Sequence, residues 1–172
     1  MARGHKKAVL LLLTMIITGV VFTLTPLSVW AQGGPAIEIT APSAIVDWAL
    51  SPQGEQPKTQ SGMLTVTTTN ADGRAWSVAA TDEDKTNTNG HMTKYRSSAY
   101  VTDTTLGTAM QVQGSAGTVT LPAGGDVVTG SGTVTGAEYT ITFRQTALWT
   151  DAVVTSPDSY RIIVTFTASI AL

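Results

Sequence analysis

The clearest strand pattern in the chain is Tyr160-Arg161-Ile162-Ile163-Val164-Thr165-Phe166-Thr167-Ala168. Its large apolar residues occupy every second position from Tyr160 to Phe166, the spacing that places side chains on one face of a β-strand. Thr165 and Thr167 fill outward positions, where a β-branched residue favours a strand while its hydroxyl faces water. This segment therefore predicts a strand with one buried face.

The same period of two recurs along the chain, and no helical period follows residue 31. It is clear at 64–68, 76–80 and 139–143, and weaker at 37–39, 46–50, 100–102, 110–112, 119–121 and 127–128. Turn-forming residues separate these segments, at 70–73, 87–90 and 122–125. Short strands at this spacing are typical of β-sandwiches. The sequence predicts an all-β fold, a single antiparallel β-sandwich of Ig-like or jelly-roll-like type over residues 36–172.

Residues 114–136 are rich in glycine, serine and threonine, a composition that also suits a linker. Apolar residues nevertheless recur through them, at Val119, Leu121, Val127 and Val134. This recurrence predicts short strands joined by tight turns rather than a flexible spacer.

The first 31 residues have the order of charges and apolar residues that defines a secretory export signal. Arg3, Lys6 and Lys7 give a basic start, and residues 8–24 are uncharged and mostly apolar. Such a segment enters a bilayer as a helix, so we expect an N-terminal signal helix. The small side chain of Ala31 suits the position before a cleavage site.

We therefore expect cleavage after Ala31, a mobile leader at 32–35, and a mature domain that acts outside the cytoplasm, secreted or associated with the cell envelope. An uncleaved membrane anchor is the alternative, because the apolar segment approaches the ~20 residues that span a bilayer. After cleavage, no membrane contact is expected.

The mature chain would be mildly acidic. Of ten basic residues three leave with the signal, so seven basic and twelve acidic residues remain, a net charge of −5. Without clustered lysine and arginine, a nucleic-acid partner is not expected. The chain has no cysteine, so stability must come from burial and backbone pairing, and thiol chemistry is excluded.

Residues suited to catalysis are sparse. His91 is the one histidine after residue 31, so a zinc pair of the His-Glu-x-x-His type cannot form. No Gly-x-Ser-x-Gly elbow occurs. The acids are scattered apart from 82–84, and their spacing nominates no acid and nucleophile for glycoside hydrolysis. We predict a nonenzymatic protein, with an extracellular hydrolase as the least favoured alternative.

One segment resembles a metal site, Asp82-Glu83-Asp84-Lys85-Thr86-Asn87-Thr88-Asn89-Gly90. Its hard oxygen donors suit calcium, with Asp82, Asp84 and Asn87 as the candidate ligands. The spacing is not that of an EF-hand, because Asn87 stands where the glycine is required and Thr93 where the bidentate glutamate is required. A solvated acidic loop is the favoured interpretation. No other cofactor is expected.

Two segments resemble the motifs of a known family. Gly73-Arg74-Ala75-Trp76-Ser77-Val78-Ala79-Ala80 is similar to an internal Trp-x-Leu motif, with valine replacing leucine. Residues 160–168 are similar to a C-terminal Tyr-x-x-x-Leu-Thr-Trp-x-Leu motif, and they keep its tyrosine, its threonine and their spacing. The substituted positions there are Val164, Phe166 and Ala168.

These motifs define the WxL surface domains of Gram-positive bacteria. The resemblance implies a β-sandwich that associates noncovalently with the cell envelope, peptidoglycan being the ligand attributed to the family. For Trp76 and Phe166 themselves we predict core packing, because large aromatic residues inside strands usually fill a sandwich core.

The leading expectation is a nonenzymatic surface module that binds a cell-wall polymer or another envelope protein noncovalently. Trp149, between the last two strong strand patterns, is the candidate for an exposed ligand contact. The alternative is a self-assembling filament or layer subunit, in which an unpaired edge strand accepts the mobile leader or an edge strand from the next copy.

Overall fold

The computed structural model describes residues 11–16, 34–52 and 56–172. Within these ranges the chain forms twelve β-strands and no helix. The strands are β1 (Leu11–Ile16), β2 (Ala36–Thr40), β3 (Lys58–Thr69), β4 (Ala75–Asp82), β5 (His91–Arg96), β6 (Ala99–Ala109), β7 (Gln111–Gly114), β8 (Gly117–Thr120), β9 (Gly125–Ser131), β10 (Ala137–Gln145), β11 (Ser159–Arg161) and β12 (Ile163–Ile170).

The strands form three antiparallel sheets. Their orders are β1-β12-β4-β9, β2-β3-β10-β7-β8 and β11-β5-β6. The all-β, antiparallel prediction is therefore confirmed. A single sandwich is not, because the strands divide among three sheets instead of two.

The main core lies between the first two sheets. Phe143 of β10 contacts Phe166 of β12 edge to face, with ring centroids 6.4 Å apart, and Trp76 of β4 contacts Tyr139 of β10 in the same way at 6.0 Å. Trp76 is 3% exposed and Phe166 is fully buried, which confirms the predicted core packing of both. Burial of each large apolar side chain contributes about 1.5–3 kcal/mol.

The two facing sheets also approach each other at their sides, where β8 contacts β9 and β2 contacts β12. Residues 114–136 supply β8 and β9, joined by the turn at 121–124. The prediction of short strands in this glycine-rich region is confirmed.

Two strands of the third sheet are continuous in sequence with strands of the first sheet: β5 follows β4, and β11 precedes β12. The segment predicted as one strand at 160–168 divides at the fully buried Ile162, so that β11 pairs with β5 while β12 pairs with β4. Correspondingly, β4 and β5 are separated by the loop at 83–90. This division brings the loop and Arg161 to the same end of the molecule.

The strand predicted at 46–50 is wrong, since residues 41–52 form no strand. Asp47 has a φ of 55°, in the left-handed region that interrupts an extended strand. Trp48 and Leu50 still pack partly buried against the core, whereas Val46 is 53% exposed. The alternation at 46–50 therefore indicated that Trp48 and Leu50 pack against the core, but it did not indicate a strand conformation of the backbone.

Most of the predicted export signal, including the cleavage site at Ala31, lies outside the described residues. Leu11–Ile16 falls within the segment predicted as a signal helix, yet it forms β1, antiparallel to β12. The signal helix is thus not confirmed. Residues 34–35 of the predicted leader precede β2 without joining a strand. In the ranges given above, no helix is long and apolar enough to cross a membrane.

Candidate functional site

Three side chains form a row across the third sheet. Tyr100 of β6 is the register partner of Tyr95 of β5, and Arg161 of β11 is the partner of Thr93, two residues before Tyr95. The guanidinium Cζ of Arg161 lies 4.4 Å from the centroid of the Tyr95 ring. The Tyr95 and Tyr100 rings meet edge to face at 5.2 Å. A cation over a tyrosine ring is stabilised by about 0.5–2 kcal/mol.

This row forms one wall of a cavity of about 410 Å³. The loop at 83–90 and the turn at 97–98 supply much of the rest. We call this cavity the Arg161 cleft; it is lined by Asp84, Asn87, Tyr95, Ser98, Ala99, Tyr100, Arg161 and Ile163.

Two donor atoms of residues that line the Arg161 cleft are shielded from solvent and have no hydrogen-bond partner among the described residues. Arg161 is only 9% exposed, and its Nε makes no hydrogen bond to the part of the chain that the structure describes; the same holds for the buried Tyr100 hydroxyl. Among the described carboxylates, none lies within 4.0 Å of the Arg161 nitrogens. Buried polar atoms are usually hydrogen-bonded. Four further side-chain atoms of the described residues also lack a partner, namely Trp76 Nε1, Arg144 Nε, Gln145 Oε1 and Thr165 Oγ1.

The electrostatic surroundings of the Arg161 cleft are mixed in sign. Burial raises the pKa of Tyr100 to about 12; the Arg161 charge opposes the rise, and the Asp84 and Asp82 carboxylates add to it. Burial, followed by repulsion from Asp84, also raises the pKa of Glu83, again against the Arg161 charge. The lining of the cleft therefore contains one cation, Arg161, and one carboxylate, Asp84.

The loop at 83–90 is held in place by the buried Asp82, which is 3% exposed. Its Oδ2 accepts hydrogen bonds from the Thr88 hydroxyl and the Gly90 backbone N–H, both at 2.6 Å. Its Oδ1 accepts one from the Asp84 backbone N–H at 3.1 Å. Gly90 has a φ of 81°, and a Cβ there would overlap the Leu121 carbonyl, so both dihedral angle and space require glycine.

The three predicted calcium ligands come together in this loop, but their atoms already have other partners. Asp84 accepts hydrogen bonds from the Asn87 side-chain amide at 2.8 Å and the Asn87 backbone N–H at 3.3 Å. The Asp82 oxygens accept hydrogen bonds from Asp84, Thr88 and Gly90. The described residues contain no cluster of three or more His, Asp or Glu side chains that could hold a metal ion. Calcium binding remains a prediction from sequence, without support from this geometry.

An ion-pair cluster lies beside the cleft. Asp158 accepts hydrogen bonds from Nε of Arg96 at 2.8 Å and Nη2 of Arg96 at 2.6 Å, and its carboxylate lies 3.1 Å from Lys94 Nζ. The bonds from Arg96 lower the pKa of Asp158 to about 2, with Lys94 adding to the effect. This cluster fastens the turn before β11 to β5, and so fixes the start of the strand that carries Arg161.

Trp149, the sequence-based candidate for ligand contact, is 69% exposed. It lies in the segment between β10 and β11, outside the Arg161 cleft. Asp151 fixes that segment, because its Oδ1 accepts a hydrogen bond from the Gly107 N–H and its Oδ2 one from the Leu148 N–H, both at 2.7 Å. Trp149 is thus presented to solvent from an anchored turn.

His91 has a structural contact. Its Nδ1 lies 2.7 Å from the Leu106 carbonyl oxygen, so this nitrogen must donate and the ring links β5 to β6. The Asp82 carboxylate bonds to the neighbouring Gly90 N–H. In a catalytic triad this nitrogen would instead donate to a carboxylate, and no carboxylate of the described ranges is hydrogen-bonded to the imidazole.

Sequence reasoning missed Arg161, Tyr95 and Tyr100. A signal was present in retrospect, because Arg161 interrupts an apolar strand, and Tyr95 and Tyr100 flank the Ser97-Ser98 pair at hairpin spacing. Comparison of the chain with protein-family models, with characterised proteins and with solved structures finds no match.

Proposed function

We propose that the mature protein is a nonenzymatic module of the cell surface that binds a component of the cell envelope noncovalently. The observation that supports this most is the Arg161 cleft, which is lined by an arginine, a carboxylate and two tyrosine rings in one concave site. Ligand sites typically combine a concave shape with a few converging polar groups.

The proposal includes the location and the finer fold. The basic start, apolar segment and Ala31 of the sequence support export, after which the domain would act outside the cytoplasm. We propose that it works as one sandwich-like unit, since a single core cluster spans strands of all three sheets. Such a unit can carry the Arg161 cleft at one end and Trp149 on an exposed turn.

Retention on isolated cell walls tests this function. Purified protein is mixed with walls of the producing organism, sedimented and washed, with heat-denatured protein as the control for nonspecific adsorption. We expect saturable retention of the native protein alone. If native protein stays in the supernatant at every concentration, the envelope-binding function is wrong.

Self-assembly is the second candidate function, and β6 favours it. This strand is eleven residues long and is the last strand of its sheet, and such edges can pair with another chain. Sedimentation over a wide concentration range separates the two functions. Assembly predicts growth of the particle with concentration, and a monomer throughout contradicts it.

A further inference from the structure

Strand β1 (Leu11–Ile16) belongs to the segment that cleavage after Ala31 would remove, and its removal is the part of the proposed function on which this inference rests. β1 is the first strand in the order β1-β12-β4-β9. It pairs antiparallel with β12, from Leu11 opposite Ala168 to Ile16 opposite Ile163. Cleavage therefore makes β12 the edge strand of this sheet.

The backbone groups that β1 covers follow from the hydrogen bonds on the other side of β12. The Ile163 carbonyl accepts a hydrogen bond from the Glu83 N–H at 3.0 Å, and the Ala171 N–H donates one to the Ala75 carbonyl at 2.8 Å. The odd-numbered residues of β12 thus direct their backbone groups toward β4. Because these groups alternate in direction along an antiparallel strand, the N–H and C=O groups of the even-numbered residues from 164 to 168 point toward β1. Removal of β1 exposes a row of donors and acceptors, which is a template for another strand.

The sequence of this edge favours pairing. Residues 163–168 read Ile-Val-Thr-Phe-Thr-Ala, with no charged residue and no proline. Charges and prolines are common means by which proteins block the pairing of edges, and β-branched and aromatic residues favour strands. The pairing of β12 with β4 has no register shift, whereas that of β5 with the edge strand β6 shifts at two places. β12 is therefore the more regular of the two edges.

The neighbouring segments of the chain do not supply a replacement for β1. Strand β2 (Ala36–Thr40), which lies against β12, pairs with β3 at every one of its residues. The preceding residues 32–35 read Gln-Gly-Gly-Pro, and proline lacks the N–H that a ladder needs while glycine disfavours strands. At the opposite edge the chain covers itself, since the Ala116 N–H donates to the Val127 carbonyl of β9 at 2.9 Å. The edge opened at β12 is thus available to a strand from another molecule.

We infer that β1 caps the β12 edge before cleavage, and that removal of β1 lets this edge pair with β12 of a second copy. Antiparallel pairing of β12 with itself uses the same edge on both molecules, which is the self-complementary arrangement of a two-fold dimer. Each copy then contributes β9-β4-β12 to one continuous sheet. The uncharged edge brings no like charges together. The export segment thereby keeps the chain monomeric until it has been delivered, whereas the β6 edge is open before and after cleavage.

Sedimentation of one protein before and after cleavage tests the cap. A full chain with a specific protease site inserted between Ala31 and Gln32 is purified, one half is cut and freed of residues 1–31, and both halves are kept in the same mild detergent. We expect the uncut chain to remain monomeric and the cut chain to form dimers over the same concentration range. A synthetic peptide of residues 6–16, which keeps Lys6 and Lys7 for solubility, should return the dimers to monomers. A scrambled peptide of the same composition is the control and should not.

A lysine on β12 identifies the strand that pairs. T167K places a charge on a half-exposed position of β12, where it opposes the pairing of edges, and it should weaken the dimer about threefold to tenfold. T129K, at an exposed position of β9 in the same sheet, is the matched control and should leave the dimer unchanged. Because the peptide competition needs no substitution, the test remains decisive even if T167K does not fold.

A cut chain that stays monomeric at every concentration would overturn the inference. Dimers in the uncut chain, or dimers that neither the peptide nor T167K weakens, would overturn it too, as would an exported protein whose N-terminal sequence begins before Gln32. Retention on cell walls is measured separately. A protein that is retained but never dimerises refutes only the cap, and a protein that dimerises but is not retained refutes only envelope binding.

Discussion

The guanidinium of Arg161 rests on the ring of Tyr95, 4.4 Å from its centroid, and this contact holds the charge at the cleft wall. The pairing joins β11 to β5 through side chains as well as through the backbone. The cation–π contact with Tyr95 stabilises the Arg161 charge, for which the described residues provide no ion-pair partner.

Replacing Tyr95 tests this contact. Y95L removes the ring face, so we expect the free energy of unfolding to fall by about 1–3 kcal/mol from lost cation–π and packing interactions. Y95F keeps the ring and should remain close to wild type. Urea denaturation of both variants measures the difference, and equal stability of Y95L and Y95F would show that the ring does not support Arg161.

The Asp82 carboxylate holds the loop at 83–90 in place by accepting three hydrogen bonds from it. In D82N, the amide nitrogen would face a donor where a carboxylate oxygen now accepts, so we expect a loss of about 1.5–3 kcal/mol in the free energy of unfolding. D72N, an exposed turn substitution, provides the control and should cost little. Hydrogen exchange at Gly90 should accelerate in D82N; unchanged protection there would contradict the assigned role.

The Asp158 cluster predicts a specific pH dependence. The pKa of Asp158 in the folded protein is about 2, below its ordinary value of 3.8. Its contribution is therefore fully present above pH 4 and is lost as the pH falls from about 4 to about 2. Denaturation of wild type and D158N at pH 5, 3 and 2 should show a stability difference that shrinks across this window. A difference independent of pH would contradict the ion-pair assignment.

Gly130 is the register partner of Trp76, and a Cβ at this position would overlap the indole ring. We expect G130A to lower the free energy of unfolding by about 1–3 kcal/mol, the usual effect of overpacking. G34A is the matched control, because nothing lies within 4 Å of a Cβ there. The melting temperatures of the two variants are compared in thermal denaturation. Equal melting temperatures would show that the Trp76 ring does not lie against Gly130.

Much of the fold follows from the period of two. The turn at 70–73, with positive φ at Asn70, Asp72 and Gly73, was predictable because those residue types tolerate that backbone. Where prediction failed, at 46–50, the local alternation was present but Asp47 turned the chain. A single residue in the left-handed region outweighs a weak strand pattern.

The candidate site was harder to predict than the core. Trp149 was identified from its position and is indeed exposed, but Arg161 occupies a strand position that sequence reasoning assigns to solvent. Its burial depends on β11 leaving the first sheet at Ile162 and pairing with β5. That change of sheet is a tertiary event, which alternation within one strand does not encode.

Under the proposed function, the Arg161 cleft holds the protein on the cell envelope. Its most direct test is the dissociation constant of wild type, R161Q and R74Q on isolated cell walls. Loss of hydrogen bonds from a charged donor is worth about 1.5–3 kcal/mol, so R161Q should bind roughly ten to a hundred times more weakly, while R74Q binds as wild type does. Equal binding by all three proteins, with R161Q folded, would show that the Arg161 cleft does not hold the protein on the cell wall.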